Sequence, residues 1–131
     1  MRLMLVTLIL AGCSALAPAQ LDPQAGKVTF GRSLDTTTFV LTGEATSFAV
    51  NSDVAYRGAL SRVLTGGSIR LHGTLNDFVV LDQSNAVQEE GFTLYGGTLP
   101  GALLFEPGTF RLRLLDFGNS ELATGTFTIT P

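Results

Sequence analysis

From Lys27 onward, apolar and polar residues alternate with a period of two, and glycine, asparagine, aspartate and serine interrupt the alternation at short intervals. Val28 and Phe30 alternate with Lys27, Thr29 and Gly31. The β-branched run Thr37–Thr42 predicts a strand that ends at Gly43-Glu44, and Ser47–Val50 puts Phe48 and Val50 on one face before a turn at Asn51-Ser52-Asp53. Val54, Tyr56 and Leu60 share a face around Gly58, with Arg57 opposite. After Gly66-Gly67, Ile69 and Leu71 point one way while Arg70 and His72 point the other. Phe78–Leu81 reads as a short apolar strand closed by Asp82-Gln83-Ser84-Asn85. Phe92 and Leu94 alternate with Thr93 and Tyr95. Phe110, Leu112 and Leu114 face inward against Phe127 and Ile129, leaving Arg111, Arg113, Thr126, Thr128 and Thr130 outside.

No stretch of helical length carries a stripe at i, i+3, i+4 and i+7. The nearest, Arg57–Leu64, is short and flanked by glycines, which favours a strand. Seven to eight short strands at this spacing predict an all-β fold, a two-sheet antiparallel sandwich over residues 27–131.

The first residues follow a different rule. Arg2 precedes an apolar block, Leu3–Ala11, about as long as a signal h-region and roughly half the length of a membrane span. The block closes on Leu10-Ala11-Gly12-Cys13, which resembles the lipobox of bacterial lipoproteins; in that family the cysteine sulfur is acylated and the peptide bond before it is cut. The resemblance implies a signal peptide over 1–12, lipidation at Cys13 and attachment to the membrane through the lipid anchor. Ser14 is not the aspartate that retains many such lipoproteins at the inner membrane, so the outer membrane is favoured in a two-membrane cell. Two alternatives stay open: a secretory peptide cleaved after Ala17-Pro18-Ala19, and an ordinary apolar first strand. Residues 14–26, rich in alanine and proline, read as a flexible tether that spans at most about 40 Å when extended. Its last residues, around Leu21, could instead join the first strand.

Composition narrows the partners. Removal of residues 1–12 leaves 119 of 131, enough for one core. Seven basic and eleven acidic groups then give a formal net charge of −4, which argues against nucleic acid, whose phosphates need concentrated positive charge. With Cys13 lipidated no thiol remains for a disulfide, so packing alone holds the domain. Nine phenylalanines and no tryptophan make the core one of plain rings.

Pro107–Leu114 followed by Ala123–Thr130 (PGTFRLRL…ATGTFTIT) resembles the closing strand pair of bacterial immunoglobulin-like domains, and residues 27–131 as a whole are similar to small domains of that kind in envelope proteins. The resemblance implies an immunoglobulin-like sandwich. It carries no functional residues across. Phe110 stands where the family often has tyrosine, so the hydroxyl of a tyrosine corner is missing, as are the inter-sheet cysteine pair and buried tryptophan of antibody domains.

Candidate chemistry is sparse. The only histidine, His72, falls beside Arg70 on the outer face and reads as a surface residue. A metal site would want a second imidazole or a thiolate, so no metal and no cofactor are expected. Gly66-Gly67-Ser68-Ile69-Arg70 is not a nucleophile elbow, because arginine occupies the place of the closing glycine. Asp116–Glu121 offers oxygen ligands for calcium but lacks the density of a calcium-binding loop and reads as a hairpin connection. Arg111 and Arg113, two apart on one strand, project from one face, with Arg70 on a neighbouring strand. Such guanidinium forks suit carboxylate or phosphate. Tyr95 is the tyrosine placed to join a binding face, opposite Phe92 and Leu94. These features point to a non-catalytic module binding an envelope protein or anionic polymer. The alternative is a purely structural accessory lipoprotein, and an enzyme is disfavoured.

Overall fold

The computed structural model describes residues 21–87 and 90–131. Cys13, the expected signal peptide and the start of the tether lie outside the described residues. The described chain is nearly all-β, with strands β1 (Val28–Gly31), β2 (Ser33–Leu34), β3 (Leu41–Thr42), β4 (Ser47–Ala49), β5 (Val54–Thr65), β6 (Ser68–Leu75), β7 (Phe78–Ala86), β8 (Glu90–Leu99), β9 (Gly108–Leu115) and β10 (Glu121–Thr130). A 3-10 turn, Gly101–Leu103, lies between β8 and β9. Seven of these strands have four or more residues, and β2, β3 and β4 are fragments of two or three.

Two main sheets form. One has the order β4-β10-β9-β6-β7, the other β1-β5-β8, and β2 and β3 make a separate hairpin. Pairing within the main sheets is antiparallel except for β4, which runs parallel to β10 through Thr128↔Ser47, Ile129↔Phe48 and Thr130↔Ala49. The inward residues of both sheets share one hydrophobic cluster: Val28, Phe30, Val54, Tyr56, Leu60 and Leu99 from one, and Ile69, Leu71, Leu75, Phe110, Leu112, Leu114, Phe127 and Ile129 from the other. Burial of these apolar faces against each other is the main favourable term in the fold. Gly66 and Gly67, at φ 75° and 82°, turn the chain from β5 into β6 and hence from one sheet to the other. Asn76 and Asp77, both at positive φ, form the two-residue loop between β6 and β7.

Several expectations are corrected. Thr37–Thr42 is a strand only at Leu41–Thr42, because the Asp35 carboxylate accepts hydrogen bonds from the backbone N–H groups of Thr37 (2.8 Å) and Thr38 (3.1 Å) and bends the chain into a turn. Phe39 then adopts φ 57°, an outlier for a bulky residue. The strand beginning at Phe78 does not stop at Asp82. It continues to Ala86, with Asp82, Ser84 and Asn85 paired to His72, Arg70 and Ile69 of β6. Polar residues suit this strand because it is a sheet edge.

Asp22–Gly26 forms a turn, Gly26 N–H donates to Ala59 of β5, and the Gly26 carbonyl accepts from Thr124 N–H of β10. Together with a parallel bridge between Lys27 and Thr124, this entry segment laces the two sheets together along one side.

Tyr95 faces opposite to expectation. Register sets Tyr95 against Gly58 and Leu94 against Ala59, so Tyr95 takes the inner side beside Tyr56 and packs against the core. An irregularity between Ala59 and Leu64 shifts the alternation, and Phe92 reaches the core as well.

The outer faces of the two sheets differ. Over the three-stranded sheet lies the β2–β3 hairpin: Arg57 Nε donates to the Phe39 carbonyl at 2.9 Å, and Leu34 lies where a Cβ on Gly96 would project. This cover explains why Ala55 and Ala59 are fully buried although they alternate with the core residues of β5. The outer face of the five-stranded sheet has no such cover among the described residues.

Candidate functional site

Strand alternation and register lay out the uncovered face in cross-strand rows. Asp82, His72, Arg113 and Thr124 stand side by side across β7, β6, β9 and β10. The next row holds Val79, Thr74, Arg111 and Thr126. From these rows His72, Thr74, Arg111, Arg113 and Thr126, together with Thr109 and the Asn76-Asp77 turn, line a polar groove of about 550 Å³. The turn is fixed in place because the Asn76 side chain donates to Glu106 (2.9 Å) and to the Pro107 carbonyl (3.1 Å), and accepts from Thr109 N–H at 3.0 Å.

The three arginines expected on this face are all there, but they are held differently. Arg70 makes a two-pronged contact with Asp82, Nε and NH2 each at 2.7 Å, and donates to the Asn119 side chain at 2.9 Å. That fork is full, and it ties β6 to its edge neighbour and to the β9–β10 loop. The same contact holds the Asp82 carboxyl below the usual carboxylate range and raises the Arg70 guanidinium further. Arg113 Nε donates to Glu121 at 3.0 Å. Arg111 Nε donates to the Thr124 hydroxyl at 3.3 Å, while its NH2 lies 3.7 Å from Glu121, outside hydrogen-bond reach. Its side chain is half exposed. Arg111 and Arg113 therefore reach the groove and Arg70 does not.

His72 is placed on the outer face as expected, but it is half-buried and lines the groove beside Arg113. Its Nδ1 is buried without a hydrogen-bond partner, a circumstance uncommon enough to mark the site. The pairing of β6 with β9 brings His72 and Arg113 together. Forty intervening residues hid that from periodicity, as they hid the contributions of Thr74, Thr109 and Thr126. Tyr95 stands apart from this face, its hydroxyl accepting from Asn85 Nδ2 at 3.0 Å to link the edges of the two sheets. Burial pushes the neighbouring Tyr56 phenol well up, with a smaller contribution from Tyr95.

The loop considered for calcium is a hairpin connection. One Asp116 carboxylate oxygen accepts from Ser120 N–H at 2.8 Å, and the other is held by the Arg62 guanidinium. Those contacts, the Ser120 bond first, keep the Asp116 carboxyl low although burial opposes them. Its oxygens are already engaged, one within the loop and the other by Arg62 of β5.

Fold and site together define a β-sandwich-like domain in which, among the described residues, one outer sheet face is covered and the other is not; the uncovered face is polar, grooved and carries three arginines, two of which reach the groove. No protein-family model matches the chain, and no curated protein sequence matches it.

Proposed function

We propose that this chain is a lipid-anchored extracytoplasmic lipoprotein whose immunoglobulin-like sandwich is a non-catalytic binding module of the cell envelope. It presents the outer face of the five-stranded sheet to an envelope protein or anionic polymer. The observation that carries this reading is the contrast between the two outer faces: the β2–β3 hairpin lies over one, while the other leaves Arg111 and Arg113 in an open groove. Guanidinium groups in such a groove suit an anionic surface. The immunoglobulin-like assignment is supported by the parallel β4–β10 pair beside antiparallel β10-β9-β6-β7, packed on β1-β5-β8. The anchor and the outer-membrane location rest on Leu10–Cys13 and Ser14.

Reversal of charge at both positions (Arg111→Glu with Arg113→Glu) is expected to weaken attachment to isolated envelopes and to lower its salt sensitivity, with the fold retained. Unchanged attachment would sink the reading. A Cys13→Ser variant should leave the lipid-modified pool; a wild-type chain that begins at Gln20 and stays soluble would replace the anchor by secretion. A measured turnover lost in His72→Ala would overthrow the non-catalytic reading.

A second reading, an accessory subunit of a larger assembly, draws on edge strand β7, where Phe78 and Val79 are 75% and 58% exposed. Cross-linking in the native envelope followed by mass identification separates it from the first.

A further inference from the structure

The outer-face groove binds one kind of ligand better than the alternatives, an inference that rests on the binding-module reading above. We infer that it takes a carboxylate of an acidic polysaccharide on the Arg111 guanidinium, while the surrounding hydroxyls and the His72 ring meet the sugar hydroxyls.

Commitment singles out Arg111. Arg70 has its fork filled by Asp82 and Asn119, and Arg113 gives its Nε to Glu121. Arg111 uses only Nε, in a 3.3 Å contact with Thr124, and its 3.7 Å approach to Glu121 is an ion pair without a hydrogen bond. Its two terminal nitrogens present the planar fork that a carboxylate accepts in two-pronged fashion. The Arg70–Asp82 contact is an internal example of the same two-pronged chemistry on this face.

The surroundings of Arg111 are hydroxylated. Its cross-strand neighbours are Thr74 and Thr126. His72, with Nδ1 buried and unpartnered, has Nε2 left to serve the groove. Hydroxyls that both donate and accept match the hydroxyls of a sugar ring. Charge is sparse: Arg111 and Arg113 are offset by Asp77 on the groove wall and by Glu121. A densely charged polyphosphate needs many uncompensated cations, whereas a carboxylate spaced one per sugar needs one fork at a time. With no phenylalanine, tyrosine or tryptophan lining the groove for stacking, each contact is weak, and attachment to a polymer would come from many modules on one surface.

The test is a two-dimensional NMR titration of the 15N-labelled full chain in detergent with a galacturonic acid hexamer. Its methyl ester and a glycerol phosphate hexamer are run in parallel. The expected result is a set of shifts confined to the outer face, including the Arg111 Nε–H. Arg111→Gln and Arg111→Lys should each weaken binding by about tenfold, the lysine because it keeps charge without the fork. Glu121→Gln should tighten it, because a competing internal carboxylate is removed. Equal binding of the methyl ester, equal or tighter binding of the glycerol phosphate hexamer, or shifts away from this face would overturn the inference. If the hexamer fails to bind while envelope attachment still depends on Arg111 and Arg113, the ligand class falls and the binding module stands. If neither is seen, both fall.

Discussion

The Arg57 guanidinium meets the Asp22 carboxylate at 2.7 Å, so chain lying before the first strand is tied to the first part of the longest one. Both side chains are largely shielded from water, at 17% and 20% exposure, and Arg57 also donates Nε to the Phe39 carbonyl. One residue thus holds the entry segment and the covering hairpin together. Arg57→Met should cost about 1.5–3 kcal/mol, the range for a hydrogen bond to a charged group. Limited proteolysis should then cut at Asp22–Gly26 or the Phe39 loop before the rest of the domain. Unchanged resistance at both segments would show that the contact holds neither.

Phe127 should be among the costliest side chains to truncate. Its ring lies 4.7 Å from Phe30 and 5.3 Å from Phe48 in edge-on geometry, and stacks on Phe110 at 5.2 Å. It joins four strands, β1, β4, β9 and β10, drawn from both sheets. Phe127→Ala should lose about 3–5 kcal/mol, with a similar loss for fully buried Phe110, in a chain whose total stability is of the same order. Urea unfolding curves measure this directly, and a loss below about 1 kcal/mol would contradict the packing.

Gly125 is required by closeness between the sheets. A Cβ there would run into the Val28 carbonyl oxygen and sit 3.0 Å from the Phe30 ring. Backbone offers no easy way to yield, so Gly125→Ala should destabilise by about 1–3 kcal/mol despite alanine's better strand propensity. Gly66→Ala is the control: its Cβ would meet open space, so any cost comes from its φ of 75° alone.

Acid should weaken the fold in a defined window. Arg57 and then Gln24 N–H lower the Asp22 carboxyl, Arg70 lowers Asp82, and Ser120 N–H with Arg62 lowers Asp116. A carboxyl that is lower when folded takes up a proton on unfolding. Its contribution is complete above the ordinary aspartate value of about 4 and is lost as pH falls through that value towards the depressed ones. Urea midpoints should be level from pH 7 to 5 and drop steeply below 4. A midpoint that holds steady to pH 3 would mean these contacts add nothing.

Much of this architecture is legible along the chain. Phe110, Leu112 and Leu114 against Arg111 and Arg113 state which side of β9 is core, because side chains in a strand alternate strictly. The same logic placed Ile69 and Leu71 inside and Arg70 and His72 outside. It failed where alternation is interrupted. At Asp35 a side chain captured two backbone donors, and near Ala59 an irregular pairing reversed the facing of Leu94 and Tyr95. Phe78–Ala86 was underestimated because an edge strand tolerates polar residues that resemble a turn.

Local pattern, then, determines strand identity, the inward and outward sides of most strands, and the positions of the tight turns, since each depends on neighbours a few residues apart. Tertiary structure decided which strands lie side by side. Only that pairing places His72 next to Arg113, spends Arg70 on Asp82 and Asn119, lays a hairpin over one sheet and leaves Arg111 open on the other. Those relations follow from strand pairings made by backbone hydrogen bonds between segments distant in sequence, and backbone groups are alike at every residue. No single stretch of sequence can therefore announce its partner, whereas the burial of two apolar faces against each other selects it.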